Sequence, residues 1–123
     1  MLKNLFYICC GGFIGAVCRY LISGWVQSFR NSFFPLGTLG VNLIGCFIIG
    51  LLGGLVENRE LLTPGALLFL LVGILGSFTT FSTFGYETLG MIRDQQIAYV
   101  LINILSHVGL GLMAAWFGYS IVL

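Results

Sequence analysis

Gly76-Ser77-Phe78-Thr79-Thr80-Phe81-Ser82-Thr83-Phe84-Gly85-Tyr86-Glu87 places five serine and threonine hydroxyls and two glycines inside an apolar run that extends from Gly65 to Ile92. Upstream, Ala66 to Leu75 reads as a plain apolar helix. A run of about 20 apolar residues spans the hydrocarbon core of a bilayer, so the hydroxyls fall at membrane depth. Ser and Thr satisfy backbone groups at helix ends, and Gly tolerates the geometry of a break. Irregular backbone at this depth persists only where it is buried in protein or lines a cavity. The stretch therefore predicts a helix broken mid-membrane, with carbonyl and N–H groups turned toward an ion. A second reading keeps the helix continuous and uses the hydroxyls for interhelical hydrogen bonds.

The rest of the chain has the same solvent. Of its 123 residues 59% are hydrophobic and 7% charged, and mean hydropathy is +1.07. A soluble domain carries about a quarter charged residues. This surface must face lipid, which places the chain in a lipid bilayer as a multi-pass protein. Four spans are expected, near residues 5–25, 35–56, 65–92 and 97–122, forming one all-α domain over 1–123. The connections Val26–Phe34, Glu57–Pro64 and Arg93–Gln96 are polar, and no internal repeat is evident. No cleavable leader is expected, because the apolar run from Leu5 is too long for one. Glycine, at 18 residues, falls within the apolar runs, where it lets helix backbones approach. Cys9, Cys10, Cys18 and Cys46 lack metal-ligand spacing and read as small buried thiols.

Lys and Arg bias sets membrane orientation. With four spans, Lys3 and Arg59 share one side while Arg30 and Arg93 share the other. Two against two gives no preferred orientation, so copies inserted both ways can pair about an axis in the membrane plane. Four short helices fill their own core with side chains; a permeation path forms more naturally where two subunits meet.

Phe78, Phe81 and Phe84 recur every three residues and can share one side of the helix. An aromatic ring has a positive edge that attracts anions; the plainer reading makes these core or lipid-facing rings. Asn42 sits well inside the second span, where its amide offers two donors to an anion or joins two helices. Arg19 and Glu87 lie near span ends on the same side, positioned to pair or, for Arg19, to snorkel. Asn103 and His107 share a face of the fourth span at i, i+4.

At these residues the sequence resembles the Fluc (CrcB-type) fluoride channels. The matching elements are Gly11-Gly12-Phe13-Ile14-Gly15-Ala16 with Arg19-Tyr20, then Pro35-Leu36-Gly37-Thr38-Leu39 with Val41-Asn42 and Gly45. Thr79-Thr80-Phe81-Ser82-Thr83-Phe84 and Glu87 follow in order. The resemblance implies a fluoride-selective channel that passively exports fluoride from a bacterial-type cell (inner) membrane, working as an antiparallel, dual-topology homodimer. It implies a structural, non-transported Na⁺ held by the backbone carbonyls of Gly76 and Thr79 from both subunits. It places Phe81, Phe84 and Asn42, with the hydroxyls of Thr80, Ser82 and Thr83, on the anion path, and gives Arg19 and Glu87 structural or vestibule roles. The fourth span matches least, and His107 stands where a smaller neutral polar residue is expected. The expected partners are fluoride and a second copy of the chain, with no nucleic acid and no enzymatic reaction.

Two other classes compete. A small proton-coupled drug exporter also has four helices and dual topology, but it needs a membrane-embedded carboxylate; the first span here carries Arg19 and no acid. A structural subunit of a larger complex would need only the glycine-rich packing.

Overall fold

The computed structural model describes residues 1–30, 32–59 and 62–123, with the side chains of Asn58 and Arg59 outside the description. Of the loop cations counted above, Arg59 thus has its side chain outside the described residues. The regular structure described is all helical. Four helices are long and apolar enough to cross a membrane: Leu2–Ser28, Leu36–Glu57, Pro64–Arg93 and Ile97–Ser120.

The third span is interrupted, as its hydroxyl-rich stretch predicts. Thr63 opens it, its hydroxyl accepting the Ala66 N–H at 3.2 Å, and Pro64 occupies the first turn, where a missing N–H costs nothing. Leu68–Leu75, expected to be ordinary α-helix, is π-helix, and Gly76–Phe78 returns to α geometry. Thr79 (φ −83°, ψ 156°) and Thr80 (φ −150°, ψ 112°) are extended. A second half-helix then runs from Phe81 to Arg93.

The packing forms two close pairs. The first span lies against Leu68–Leu75 of the third, and the second span against Gly111–Ser120 of the fourth. Lipid tails are as apolar as leucine, so helix association depends on close van der Waals contact. Gly11 and Gly73 provide it in the first pair: a Cβ on either would sit 2.9 or 2.8 Å from the other's Cα. Gly50 and Gly118 do the same in the second pair, each against a main-chain carbonyl, that of Ala115 and that of Phe47 respectively.

Among the described residues, the buried apolar side chains are Val41, Leu75, Phe78, Met91 and Val100. So small a core leaves most large hydrophobic side chains on the outside, facing lipid or another chain. The cysteines follow suit. They are unpaired, but Cys9 is exposed and the others are only partly covered. The buried-thiol expectation fails because thin helix pairs leave most positions peripheral.

The turn after Arg93 is a Schellman stop. The Gln96 N–H donates to Met91 O at 2.9 Å and the Gln95 N–H to Ile92 O at 3.0 Å. Gln95 occupies the left-handed position usually given to glycine, with φ 57°. A side chain there costs about 1–2 kcal/mol. Gln95→Gly should therefore raise stability by about 1 kcal/mol in thermal unfolding of the detergent-solubilised protein; an unchanged or lower midpoint would show that the turn is not strained.

Candidate functional site

The break at Thr79–Thr80 is held by side chains. Asn42, from the second span, reaches across to the Thr80 peptide unit and makes two bonds with it. Its Nδ2 donates to Thr80 O at 3.1 Å, and its Oδ1 accepts the Thr80 N–H at 2.8 Å. The Thr80 hydroxyl caps the half-helix that follows, accepting the Thr83 N–H at 3.2 Å and donating to the Thr83 hydroxyl at 2.9 Å. Its oxygen also lies 3.3 Å from Ser82 Oγ. Thr79 closes the preceding half-helix through bonds from its N–H (3.0 Å) and its hydroxyl (2.9 Å) to Leu75 O. Gly45 faces this turn; a Cβ there would collide with the Thr79 methyl.

This arrangement decides which main-chain groups are released. In a continuous helix Gly76 O would accept from the Thr80 N–H, and Thr79 O from the Thr83 N–H. Both donors are engaged elsewhere, by Asn42 and by the Thr80 hydroxyl. The carbonyls of Gly76 and Thr79 are thus freed from the ladder at membrane depth. Both residues line an open groove of about 430 Å³, together with Asn42, Cys46, Phe81, Phe84 and His107. The groove lies on the outside of the helix bundle, where Phe81 is 83% exposed.

The phenylalanines divide. Phe81 and Phe84 are neighbours, with centroids 5.4 Å apart and planes at 46°. Phe78 is buried, 4% exposed, and does not line the groove. The two extended residues between Phe78 and Phe81 break the helical phase on which a shared side depended. Phe84 also stacks obliquely on His107, at 4.4 Å and 45°. Asn103 donates to the Thr88 hydroxyl (3.0 Å), which donates to Phe84 O (2.7 Å). The fourth span is thereby tied to the turn that carries Phe84.

A second cavity of about 200 Å³ lies on the other side of Thr80 and is lined by Arg19, Ser23, Thr38 and Thr83, among others. Thr38 donates to Glu87 Oε1 at 2.6 Å. Among the described residues Arg19 and Glu87 form no ion pair; a hydroxyl from the second span takes the carboxylate instead. Ser82 is exposed and lines neither cavity. Thr38 and Cys46 were not among the site residues expected from the sequence. Their spacing of i, i+4 on either side of Asn42 was the available signal, since it puts all of them on one face of the second span.

Interhelical hydrogen bonds in membranes average about 0.6 kcal/mol, but Asn42→Ala removes two and leaves the Thr80 peptide unpaired. Its unfolding free energy in detergent should fall by about 1–3 kcal/mol. Asn42→Asp keeps the acceptor, loses the donor, and turns an oxygen toward Thr80 O; it should lose at least as much. A wild-type melting curve for both variants would exclude the clamp.

The description "CrcB-like protein, Camphor Resistance (CrcB)" matches residues 6–119. A Methanosarcina barkeri protein named fluoride-specific ion channel FluC 3 is 45% identical over 92% of this chain and 85% of its own length. A Maridesulfovibrio salexigens protein named fluoride-specific ion channel FluC is 46% identical over 80% of this chain and 78% of its own. A Flavobacterium psychrophilum protein of that name is 38% identical over 98% of this chain and 97% of its own. With four membrane-spanning helices and a family match across nearly all of its length, the chain is a multi-pass membrane protein of the CrcB-like family.

Proposed function

We propose that this chain is a fluoride channel, working as an antiparallel homodimer around a structural sodium ion. The observation that carries this reading is the groove at the break. It presents freed carbonyls and paired phenylalanine rings on an outer face, in a chain whose relatives are named fluoride-specific channels.

A second copy seated on the groove would close it. The balanced Lys and Arg count supports copies of opposite orientation, related by an axis in the membrane plane. The Gly76 and Thr79 carbonyls of both copies would then converge. Main-chain oxygens suit a hard cation, and a bound Na⁺ would relieve the mutual repulsion of their dipoles in a medium of low dielectric. Its charge would also favour an anion nearby.

Fluoride is small and strongly hydrated, so it enters a pore only where donors and positive ring edges replace its water. Phe81 and Phe84 offer ring edges, and Asn42 keeps one amide N–H beyond its bonds to Thr80. The hydroxyls of Thr38 and Thr83 and the guanidinium of Arg19 in the second cavity suit an aqueous approach to the same path. Thr80 joins the two cavities, and its hydroxyl serves the break before any ion. Binding by weak, neutral groups permits release. The work done is passive: hydrogen fluoride crosses lipid from acidic surroundings, dissociates inside, and the anion leaves down its electrochemical gradient. No reacting group or enzymatic step is involved. The proton-coupled exporter is disfavoured because Glu87, a carboxylate on the third span, is bonded to Thr38 and lines neither cavity.

Fluoride efflux from liposomes containing the purified chain tests this reading. Wild type should release fluoride passively, without a proton gradient, and Phe81→Ile or Phe84→Ile should cut the rate by at least about tenfold through loss of the ring edge. Efflux that is absent, or that requires an opposing proton gradient, would refute the channel. Wild-type rates in both variants would reduce these rings to packing.

A further inference from the structure

We infer that His107, in the wall of the groove, is a proton-responsive part of the anion path: neutral, its Nε2 is a bare acceptor, and protonated, a donor carrying positive charge, so fluoride and a proton favour each other's binding. The inference rests on the channel reading above and concerns a residue to which that reading gives no role.

His107 lies in a π-helical turn, Ser106–Leu110, of the fourth span. Such turns often mark functional positions. Its Nδ1 sits 3.0 Å from Asn103 O. A carbonyl only accepts, so Nδ1 carries the proton of the neutral ring and Nε2 is the bare acceptor. Nε2 is buried and has no hydrogen-bond partner among the described residues. The imidazole lines the groove at the ring of Phe84. Asn103 fixes this geometry from a wholly buried position, held in turn through the Thr88 hydroxyl.

A neutral imidazole with a bare acceptor nitrogen in the groove's wall offers fluoride no charge and no second donor. Protonation at Nε2 supplies an N–H donor and a positive charge, while the Nδ1 bond to Asn103 O is kept. The surroundings leave this exchange to His107. From the second span the groove is lined by Asn42 and Cys46, and from the third span by Thr79 and Thr80 with Phe81 and Phe84. The fourth span adds Val108. Glu87, on the half-helix that carries Phe84, faces Thr38 instead, and Arg19 lines the other cavity. The chemistry has a matching logic: each hydrogen fluoride molecule that dissociates inside the cell releases a proton with its fluoride.

The test is fluoride efflux from liposomes at symmetric pH between about 8 and about 6, with the leak of protein-free vesicles subtracted. Wild-type flux should rise at least about threefold on acidification, and His107→Gln, which offers an N–H at every pH, should give a flat profile. A flat or falling wild-type profile overturns the inference, as does a wild-type profile in the variant. Either result leaves the channel standing, whereas no flux at any pH removes both. Should the variant fail to assemble, the imidazole ¹⁵N spectrum of wild type decides, because His107 is the only histidine in the chain. At alkaline pH it should show an unprotonated Nε2, and added fluoride should hold the doubly protonated ring to higher pH by linkage. An unprotonated Nδ1, or no effect of fluoride, overturns the inference.

Discussion

One side-chain amide holds the centre of this molecule. Asn42 offers the Thr80 peptide an acceptor for its N–H and a donor for its carbonyl, at 2.8 and 3.1 Å. In water a broken helix hydrates its ends; in a bilayer each unpaired backbone group costs several kcal/mol. The third span stays interrupted because a neighbouring span substitutes for the lost ladder. The same interruption takes the ladder donors from the carbonyls of Gly76 and Thr79, two residues in the wall of the groove. A continuous helix would present no such groups and would leave Phe81 and Phe84 in phase with Phe78.

The glycines make this reach possible. Asn42 is short, and its grip on Thr80 needs the second and third spans nearly in contact. Gly45 leaves room for the Thr79 methyl, one turn along the same helix. Gly11 and Gly73 hold the first span against the π-helical half of the third. With few buried apolar side chains, contact at these points carries more of the packing than a hydrophobic core does. It also leaves the groove open on an outer face.

Much of this was legible in the residues themselves. Hydropathy defines four spans, and five hydroxyls between glycines locate the interruption to within a few residues. The use of Asn42 was not legible. Its partner lies 38 positions away, and an amide at membrane depth serves an anion or a backbone equally well until the packing is known. The three-residue rhythm of Phe78, Phe81 and Phe84 misled, because periodicity assumes a helix and the two threonines between the first pair are extended. Arg19 and Glu87 were near enough in depth to pair, but Thr38 stands closer to the carboxylate. The π-helical turns have no sequence signature, so neither the offset of Leu68–Leu75 nor the setting of His107 was foreseeable.

The central claim is that the break gathers carbonyls from two chains around a sodium ion and that the anion path depends on this arrangement. Its most direct test is fluoride efflux from liposomes in which Na⁺ is replaced on both sides by N-methyl-D-glucamine, a cation too large for the site. Flux should fall by at least about tenfold and return when Na⁺ is restored. Full flux in strictly sodium-free buffer would contradict the claim.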